Sequence, residues 1–419
     1  MKGMSKMHYT FYFDETFHDR KITVKPSGVI NTFTENKNDS YIGVFWGIDH
    51  TRSSVATRRL HMLENKYIER FGLNEEFKST TIAKKNFTYG IRSFGKDAMA
   101  YYRDLFTVLD HLSPIIHVNA VSKIEYLVRH IFDVQSISFL PGVSSKAFYY
   151  SITKFILTYH SPALIQALYE SAETADHELF RNELINHLEE VIYAIGGIPR
   201  KQREYDALHQ LHMLVSLVRI DSGISTKYDF VYYQNFDGLN RLLGELKISP
   251  SRVNLVIDRE NETFLAAQKF AFKSVRQANS ANSIHVRLAD HLCGFVGRMM
   301  HALMEDKSIK EDPVSEIERL GENDLVRKRL LSSDWFKLKP EHFELYQIAY
   351  RVLVHKQQSY WATMTWSYFD QVLVFYTLLR YIASYDRYED FIKYPPELHA
   401  EYYNSACCQE LERTYELFN

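Results

Sequence analysis

The sequence predicts an α/β fold, a mixed sheet flanked by helices, on three observations. Short runs dense in β-branched and aromatic residues alternate with segments whose apolar residues recur at helical spacing, the pattern of a sheet covered by helices. Two of those runs, Phe11-Tyr12-Phe13-Asp14 and Val256-Ile257-Asp258, end directly in an aspartate. Between them lies a long stretch with helical periodicity almost alone, which predicts a large helical insertion within the sheet-forming chain.

Residues 8–13 read as a buried strand and Tyr41 to Gly47 as a second. A short strand is expected between them at Lys21 to Lys25, and the turn-rich Asn36-Lys37-Asn38-Asp39 precedes the second strand. That order predicts an antiparallel meander. Val55, Leu60, Leu63, Tyr67 and Ile68 place a helix over Ser53 to Phe71, with Gly72 supplying the stop. A helix over Lys96 to Leu112, then Pro114 and the strand-like Ile115 to Val121, continue the alternation. Helical segments follow near 146–171, 177–195, 204–219 and 234–246, broken by signals such as Gly196-Gly197-Ile198-Pro199. Strand character returns at Val253 to Ile257, followed by a helix near 262–273, a short strand near 283–286 and a helix over 287–304. The remainder, entered through Asp312-Pro313, reads as further helices, including a long one from Tyr360 to Ile382 that is too polar to span a membrane. The predicted organisation is a split α/β core over 1–141 and 247–304, a helical insertion over 142–246, and a helical C-terminal extension over 305–419.

Composition narrows the function classes. Apolar residues at 46% and charged residues at 24% are ordinary for a globular chain and argue against disorder. The 50 Lys+Arg balance 52 Asp+Glu, so no global positive field draws the protein to nucleic acid or an anionic membrane, and such contacts must be local. Cys293, Cys407 and Cys408 have neither the spacing of a disulfide framework nor that of a zinc ribbon, which fits a reducing cytoplasm. The start, MKGMSKMHYTFYFDE, lacks the apolar stretch of a signal peptide, and no apolar run is long enough for a membrane span. The 29 Tyr and 27 Phe are read as core and interface residues rather than base-stacking platforms.

The chemistry-bearing residues are acids on rigid carriers. A strand ending in Asp fixes the Cα while its carboxylate protrudes at the open end of a sheet, which suits a hard divalent cation. A third acid, Asp290, lies on the helix whose core stripe is Leu288, Leu292, Val296, Met299 and Leu303. It shares a face with Cys293, Gly294 and Gly297. Gly costs a helix interior about 1 kcal/mol relative to Ala, so two of them predict a backbone packing closely there or space kept near the carboxylate.

The order Tyr12-Phe13-Asp14-Glu15, Glu76-Phe77-Lys78-Ser79, Ser113-Pro114-Ile115-Ile116 running to Val121-Ser122-Lys123, and Leu288-Ala289-Asp290-His291-Leu292 resembles the RNase H-like family catalogued as domain of unknown function 3800. The likeness spans about residues 8–304 with the insertion set aside. It implies an RNase H-like fold with carboxylates gathered at one sheet edge, and two divalent metals, Mg²⁺ or Mn²⁺, cleaving phosphodiester bonds. By position, Asp14 would be the first-strand acid, Asp290 the last-helix acid and Asp258 the acid between them, with Glu76 or alternatively Glu15 completing the set. Lys78, Lys123 and Arg287 would contact substrate. Thr16-Phe17 after the first acid pair, and Arg287 where a Gln commonly stands, depart from the family pattern.

Oxygen-rich ligation favours Mg²⁺ or Mn²⁺ over zinc, and two such ions would activate water and stabilise a leaving oxygen. Basic groups at Lys84-Lys85, Arg200-Lys201-Arg203 and Arg327-Lys328-Arg329 are further phosphate candidates. The His209/His212 and His285/His291 pairs form no zinc motif, and phosphate-loop, dinucleotide and nucleophile-elbow signatures are absent. Two functions follow: a metal-dependent nuclease acting on RNA or DNA, with prokaryotic defence against phage as one setting, or a catalytically inactive scaffold or nucleic-acid-binding protein acting through a protein partner. The helical regions are the candidate surface for such a partner or for a homo-oligomer.

Overall fold

A computed structural model describes residues 7–16, 39–138, 140, 142–220, 233–305, 331–364 and 366–416. The expected strand at Lys21 to Lys25, the turn at Asn36-Lys37-Asn38, Phe17, Asp312-Pro313 and Arg327-Lys328-Arg329 lie outside the described residues.

Strands β1 (Tyr9–Thr16) and β2 (Ser40–Asp49) pair antiparallel, with Phe13 opposite Phe45 and Asp14 opposite Val44. Their aromatic and β-branched content suits a pleated surface buried on both faces. Helix α1 (Ser53–Phe71) then crosses the sheet and ends where Gly72 takes a left-handed φ of 63°, a conformation open to Gly at no steric cost. A short strand β3 (Thr88–Ile91), which the sequence reading did not foresee, and helix α2 (Lys96–Leu112) lead to β4 (Ile115–Ser122), antiparallel to β2. Helices α3 (Lys123–Ile131), α4 (Val134–Ser138), α5 (Ser145–Tyr159), α6 (Pro162–Thr174), α7 (His177–Ile195), α8 (Gln202–Leu217) and α9 (Tyr233–Glu245) follow. The chain re-enters the sheet as β5 (Val253–Ile257), passes through α10 (Asn261–Ala267) and β6 (Ser274–Gln277), and crosses back as α11 (Ile284–Glu305). Strand β7 (Ala362–Met364) closes the far edge beside β4.

The six strands stand in the order β6-β5-β1-β2-β4-β7. β5 is parallel to β1 and to β6, and β7 is parallel to β4, so β2 alone runs against the others. Of the expected meander, the strands at 8–13 and 41–47 are present and pair directly as β1 and β2, while the strand expected between them lies outside the described residues. β4 continues the antiparallel pairing, and the fold is a mixed α/β sheet flanked by helices.

Alternation along the strands sorts their side chains into two layers. Tyr12, Ile42, Val44, Trp46 and Val256 join the core built with α1, α2 and α11. Phe11, Phe13, Tyr41, Phe45 and Leu255 join the core on the other face, beneath α9 and α10. Each fully buried large apolar side chain contributes about 1.5–3 kcal/mol. Helices α5 to α8 close a separate core with α3. Thus α9, although contiguous with the helical insertion in sequence, covers the sheet.

Three local expectations are corrected. Residues 284–286 begin α11 instead of forming a strand; the short strand is β6, whose Ser-Val-Arg-Gln is too polar and exposed to carry an apolar signature. The helix expected over Tyr360 to Ile382 is divided: Ala362–Met364 is a strand, and the helix runs over Asp370–Ala383. The turn between strand and helix is held from the insertion side, where the fully buried Glu125 accepts the amides of Ser367 (2.9 Å) and Tyr368 (2.7 Å). The C-terminal region is no mere appendage either, because Trp335, Tyr346, Leu378 and Tyr403 belong to the main core. No helix among the described residues is long and apolar enough to cross a membrane.

Candidate active site

The parallel register that aligns Phe13 with Ile257 determines where the first two acids emerge. Asp14 and Asp258 each lie one residue beyond that pair; Asp258 follows the end of β5, whereas Asp14, expected at a strand end, lies within β1, which stays paired with β2 as far as Thr16. Two residues before Asp14, Tyr12 faces the α11 layer, so the two-residue pleat turns Asp14 toward α11 as well. Glu15 then leaves the opposite face, where Thr263 of α10 donates to it at 3.4 Å. One dipeptide thus supplies a carboxylate to each side of the sheet.

Asp258 is fixed by two amides, those of Arg259 (2.8 Å) and Ser280 (3.2 Å), both on Oδ1. The Ser280 turn leads directly into α11, so the acid also ties β5 to the helix that carries Asp290.

Asp290 is the most firmly oriented of the set. Ser79 donates its amide to Oδ2 (2.8 Å) and its hydroxyl to Oδ1 (2.7 Å). Ser79 is itself buried, and Arg298, two turns along α11, donates to its carbonyl at 2.6 Å and also bonds the carbonyl of Ile82. One residue past Asp290, His291 contacts the carbonyl of Phe77 at 2.8 Å through Nε2. α11 therefore grips the segment 77–82 from three side chains. Gly294 is what admits that segment: a Cβ there would stand 2.7 Å from both Cβ and Oγ of Ser79. The small residues beside Asp290 are present because another backbone packs on them.

The gripped segment carries Glu76 and Lys78, which pair at 2.7 Å. The second oxygen of Glu76, Oε2, is buried with no hydrogen-bond partner among the described residues. Lys78 is half exposed, and its pKa is raised first by the bond to Glu76, then by attraction to Glu76, Asp290 and Asp258. The loop thus brings a cation beside the acids.

The field at this end of the sheet is strongly negative. Burial pushes the Asp14 carboxyl well above the usual range, and repulsion from Asp290, Glu15 and Asp258 adds to it, against one stabilising bond from the Glu15 amide. Glu15 is pushed up to about 8 by burial and by Glu260. The thiol of Cys293, buried on α11 and bonded to the Ile42 carbonyl at 3.4 Å, is raised by burial and then by Asp14, Asp290 and Glu15. Asp290, Glu15 and Asp258 all act on Asp14, so the carboxylates of β1, the end of β5 and α11 face a common region.

Two expected substrate contacts are corrected. Arg287 is buried, and its guanidinium holds Glu64 of α1 by a forked pair, with Nη2 to Oε2 at 2.6 Å, and donates to the carbonyls of Ser280 and Ala281. It has no face left for a phosphate and serves instead to fix α11 against α1 and the Ser280 turn. Lys123 is also buried, at the start of α3, where its amide bonds the Asp39 carbonyl at 3.0 Å. Its charge lies near Asp39 and lowers that carboxyl against the rise caused by burial. Of the expected contacts, Lys78 alone stands open beside the acids. Among the other basic groups, Lys201 pairs with Glu204 and is no free phosphate ligand. His212 bonds Glu189 at 3.0 Å, and all three cysteines are free.

No protein family, curated protein or solved structure matches this chain. The site must be read from its own chemistry. Among the described residues no three His, Cys, Asp or Glu side chains form a group that could hold an ion as they stand. The donor set nevertheless fits a hard divalent cation: it is all oxygen, its acids repel one another, and one buried carboxylate oxygen lacks a partner. Sequence reasoning missed Arg298 and Glu64. Arg298 falls four residues after Gly294 and eight after Asp290, on the same stripe, and that spacing was the available signal.

Proposed function

We propose that the chain is an RNase H-like, divalent-metal-dependent nuclease acting on RNA or DNA. The observation that carries this reading is the arrival of Asp14, Asp258 and Asp290 from β1, the end of β5 and α11 at one end of the sheet, with Asp14 raised by the other two. Carboxylates assembled against their own repulsion are suited to neutralisation by cations. The β1-β2-β4 meander, extended by parallel strands and covered by helices on both faces, supports the family resemblance.

In this reading Asp14, Asp258 and Asp290 hold Mg²⁺ or Mn²⁺, with Glu76 completing the set. Bound there, the metal supplies charge neutralisation for a phosphodiester and a more acidic water. Ser79 orients the Asp290 carboxylate through its amide and hydroxyl, so that lone pairs not used by Ser79 face the site. Lys78 attracts a non-bridging phosphate oxygen as a mobile point charge once Glu76 turns to its ligand role. Arg298 and His291 hold the 77–82 segment in place.

Nuclease assays with Mn²⁺ on single- and double-stranded RNA and DNA test the reading. Asp14→Asn and Asp290→Asn should each reduce cleavage at least about a hundredfold with unchanged thermal stability, and should weaken Mn²⁺ binding measured without substrate. Undiminished cleavage in both variants would remove the site. The scaffold reading is favoured by one observation, the Glu76–Lys78 pair that already satisfies part of the acid charge. It expects no Mn²⁺ binding by the wild-type chain and a partner captured through the helical regions.

A further inference from the structure

A second charged concavity lies farther along α11, next to the segment that holds Asp290. It is a cleft of about 640 Å³ between the segment 84–89, the C-terminal half of α11 and the turn at 332–334. That volume is in the range of small-ligand sites. Its walls combine basic groups with aromatic surface, and the balance of charge within it is informative.

Glu305 is met by Lys84 (3.4 Å) and His301 (2.8 Å), and Asp334 by Lys337 (2.8 Å). Each carboxylate of the cleft therefore has its own counter-charge. Among the described residues Arg298 has no carboxylate partner: its partners are the carbonyls of Gly294 (3.0 Å), Ser79 (2.6 Å) and Ile82, which orient the guanidinium without neutralising it. The ring of Phe87 lies 5.0 Å from that guanidinium and fixes its plane. Lys85 is exposed at the rim and adds a second positive charge. The surplus is positive and comes from two groups of different kind, one rigid and one mobile.

The aromatic wall is divided in the same way. Phe87 is buried and packs edge-on against Phe94, Tyr102 and Phe295, so it belongs to the core. Tyr89 is only partly buried and lines the cleft from the same short strand. A planar ring that lines the same cleft as an anchored guanidinium and a mobile ammonium suits a base together with its phosphate.

We propose that this cleft is a binding site for a nucleotide, its phosphate held by Lys85 and Arg298 and its base by Tyr89. The cleft adjoins the acids through Arg298, whose guanidinium bonds the Ser79 carbonyl while Ser79 bonds Asp290; Lys85 and Tyr89 line it from other elements. The shared chemistry admits two sources, a free mononucleotide or one residue of a nucleic-acid strand. The inference does not rest on the nuclease reading, because binding is measured in chelator, without catalysis.

The test is isothermal titration of the full chain, in excess chelator, with ADP, with a ten-residue oligothymidylate and with inorganic phosphate. Lys85→Glu reverses the mobile charge at an exposed position, and Tyr89→Leu keeps apolar bulk while removing the flat ring. ADP or the oligonucleotide is expected to bind the wild type, the first identifying a free nucleotide and the second a strand as the source. Each variant should weaken that binding roughly tenfold or more with its thermal midpoint unchanged. No binding by either probe, wild-type affinity in Lys85→Glu, or inorganic phosphate binding as tightly as both would overturn the assignment. Should Tyr89→Leu fold poorly, Lys85→Glu decides alone.

Discussion

The reassignment of Arg287 from substrate contact to internal brace can be tested by a double-mutant cycle with Glu64. The two side chains are 7% and 8% exposed, so each charge depends on the other for its solvation. Removing one partner of a buried pair costs about 3–5 kcal/mol, because the survivor is left charged in an apolar setting. Arg287→Met also frees the carbonyls of Ser280 and Ala281, worth about 1 kcal/mol each, which places it at the upper end. Glu64→Leu leaves the guanidinium its carbonyl partners and falls at the lower end. The double variant buries no charge and should cost only about 1–2 kcal/mol, chiefly the freed carbonyls. Urea unfolding of the four proteins in chelator should therefore give a coupling of several kcal/mol. Additivity within about 0.5 kcal/mol would refute the brace. Nucleic-acid affinity provides a second readout: affinity lost in Arg287→Met and recovered in the double variant indicates bracing, whereas affinity still lost indicates direct phosphate contact.

Two other consequences concern α11. Gly294→Ala gains about 1 kcal/mol of helix propensity but drives a methyl to 2.7 Å from Ser79, a clash worth about 1–3 kcal/mol. Stability should change little while Mn²⁺ affinity falls, since Ser79 is displaced from Asp290; unchanged affinity, measured by titration, would show that Ser79 does not orient the acid. His285, stacked on Tyr12 and Trp46 and bonded to Thr57 at 2.9 Å, is pushed down to about 4 by burial and then by His61 and Arg276. Its folded-state pKa is depressed, so its contribution is complete above the unfolded value near 6.5 and is lost as pH falls from there toward about 4. His285→Gln should flatten that part of the stability profile in urea titrations between those pH values, and an unaltered slope would contradict the burial argument.

The sheet was legible where strands are apolar on both faces. β1, β2, β4 and β5 are such strands, and the helices over Ser53–Phe71 and Lys96–Leu112 were legible from their period and from Gly72 or Pro114 beyond them. The two edge strands were not. β6 is four residues of mostly exposed polar sequence, and β7 is three residues leading into an apolar helix, so neither has room for a period. Both are held by pairing with a longer neighbour, which is a tertiary cause. Asp258 was legible because it follows an apolar strand directly, and Asp14 because it interrupts one, although β1 continues past it to Thr16. Arg287 and Lys123 misled because a basic residue in a recognisable segment does not disclose its burial; their partners, Glu64 and Asp39, are distant in sequence.

In the nuclease reading, parity rather than distance along the chain favours Glu76 over Glu15 as the fourth acid. Consecutive residues of a strand cannot serve the same face, so Asp14 and Glu15 divide between α11 and α10. Glu15 meets Thr263 and Glu260 on the far side, where its charge is opposed and its carboxyl is raised to about 8. Glu76 has no strand to fix it, but α11 grips the segment beside it through Asp290, His291 and Arg298, and Lys78 on that segment is drawn to Asp290 and Asp258. The contacts that orient Asp290 therefore also hold the loop on which Lys78 pairs with Glu76. In the nuclease reading a loop acid can complete the set because the helix carrying the third acid holds that loop.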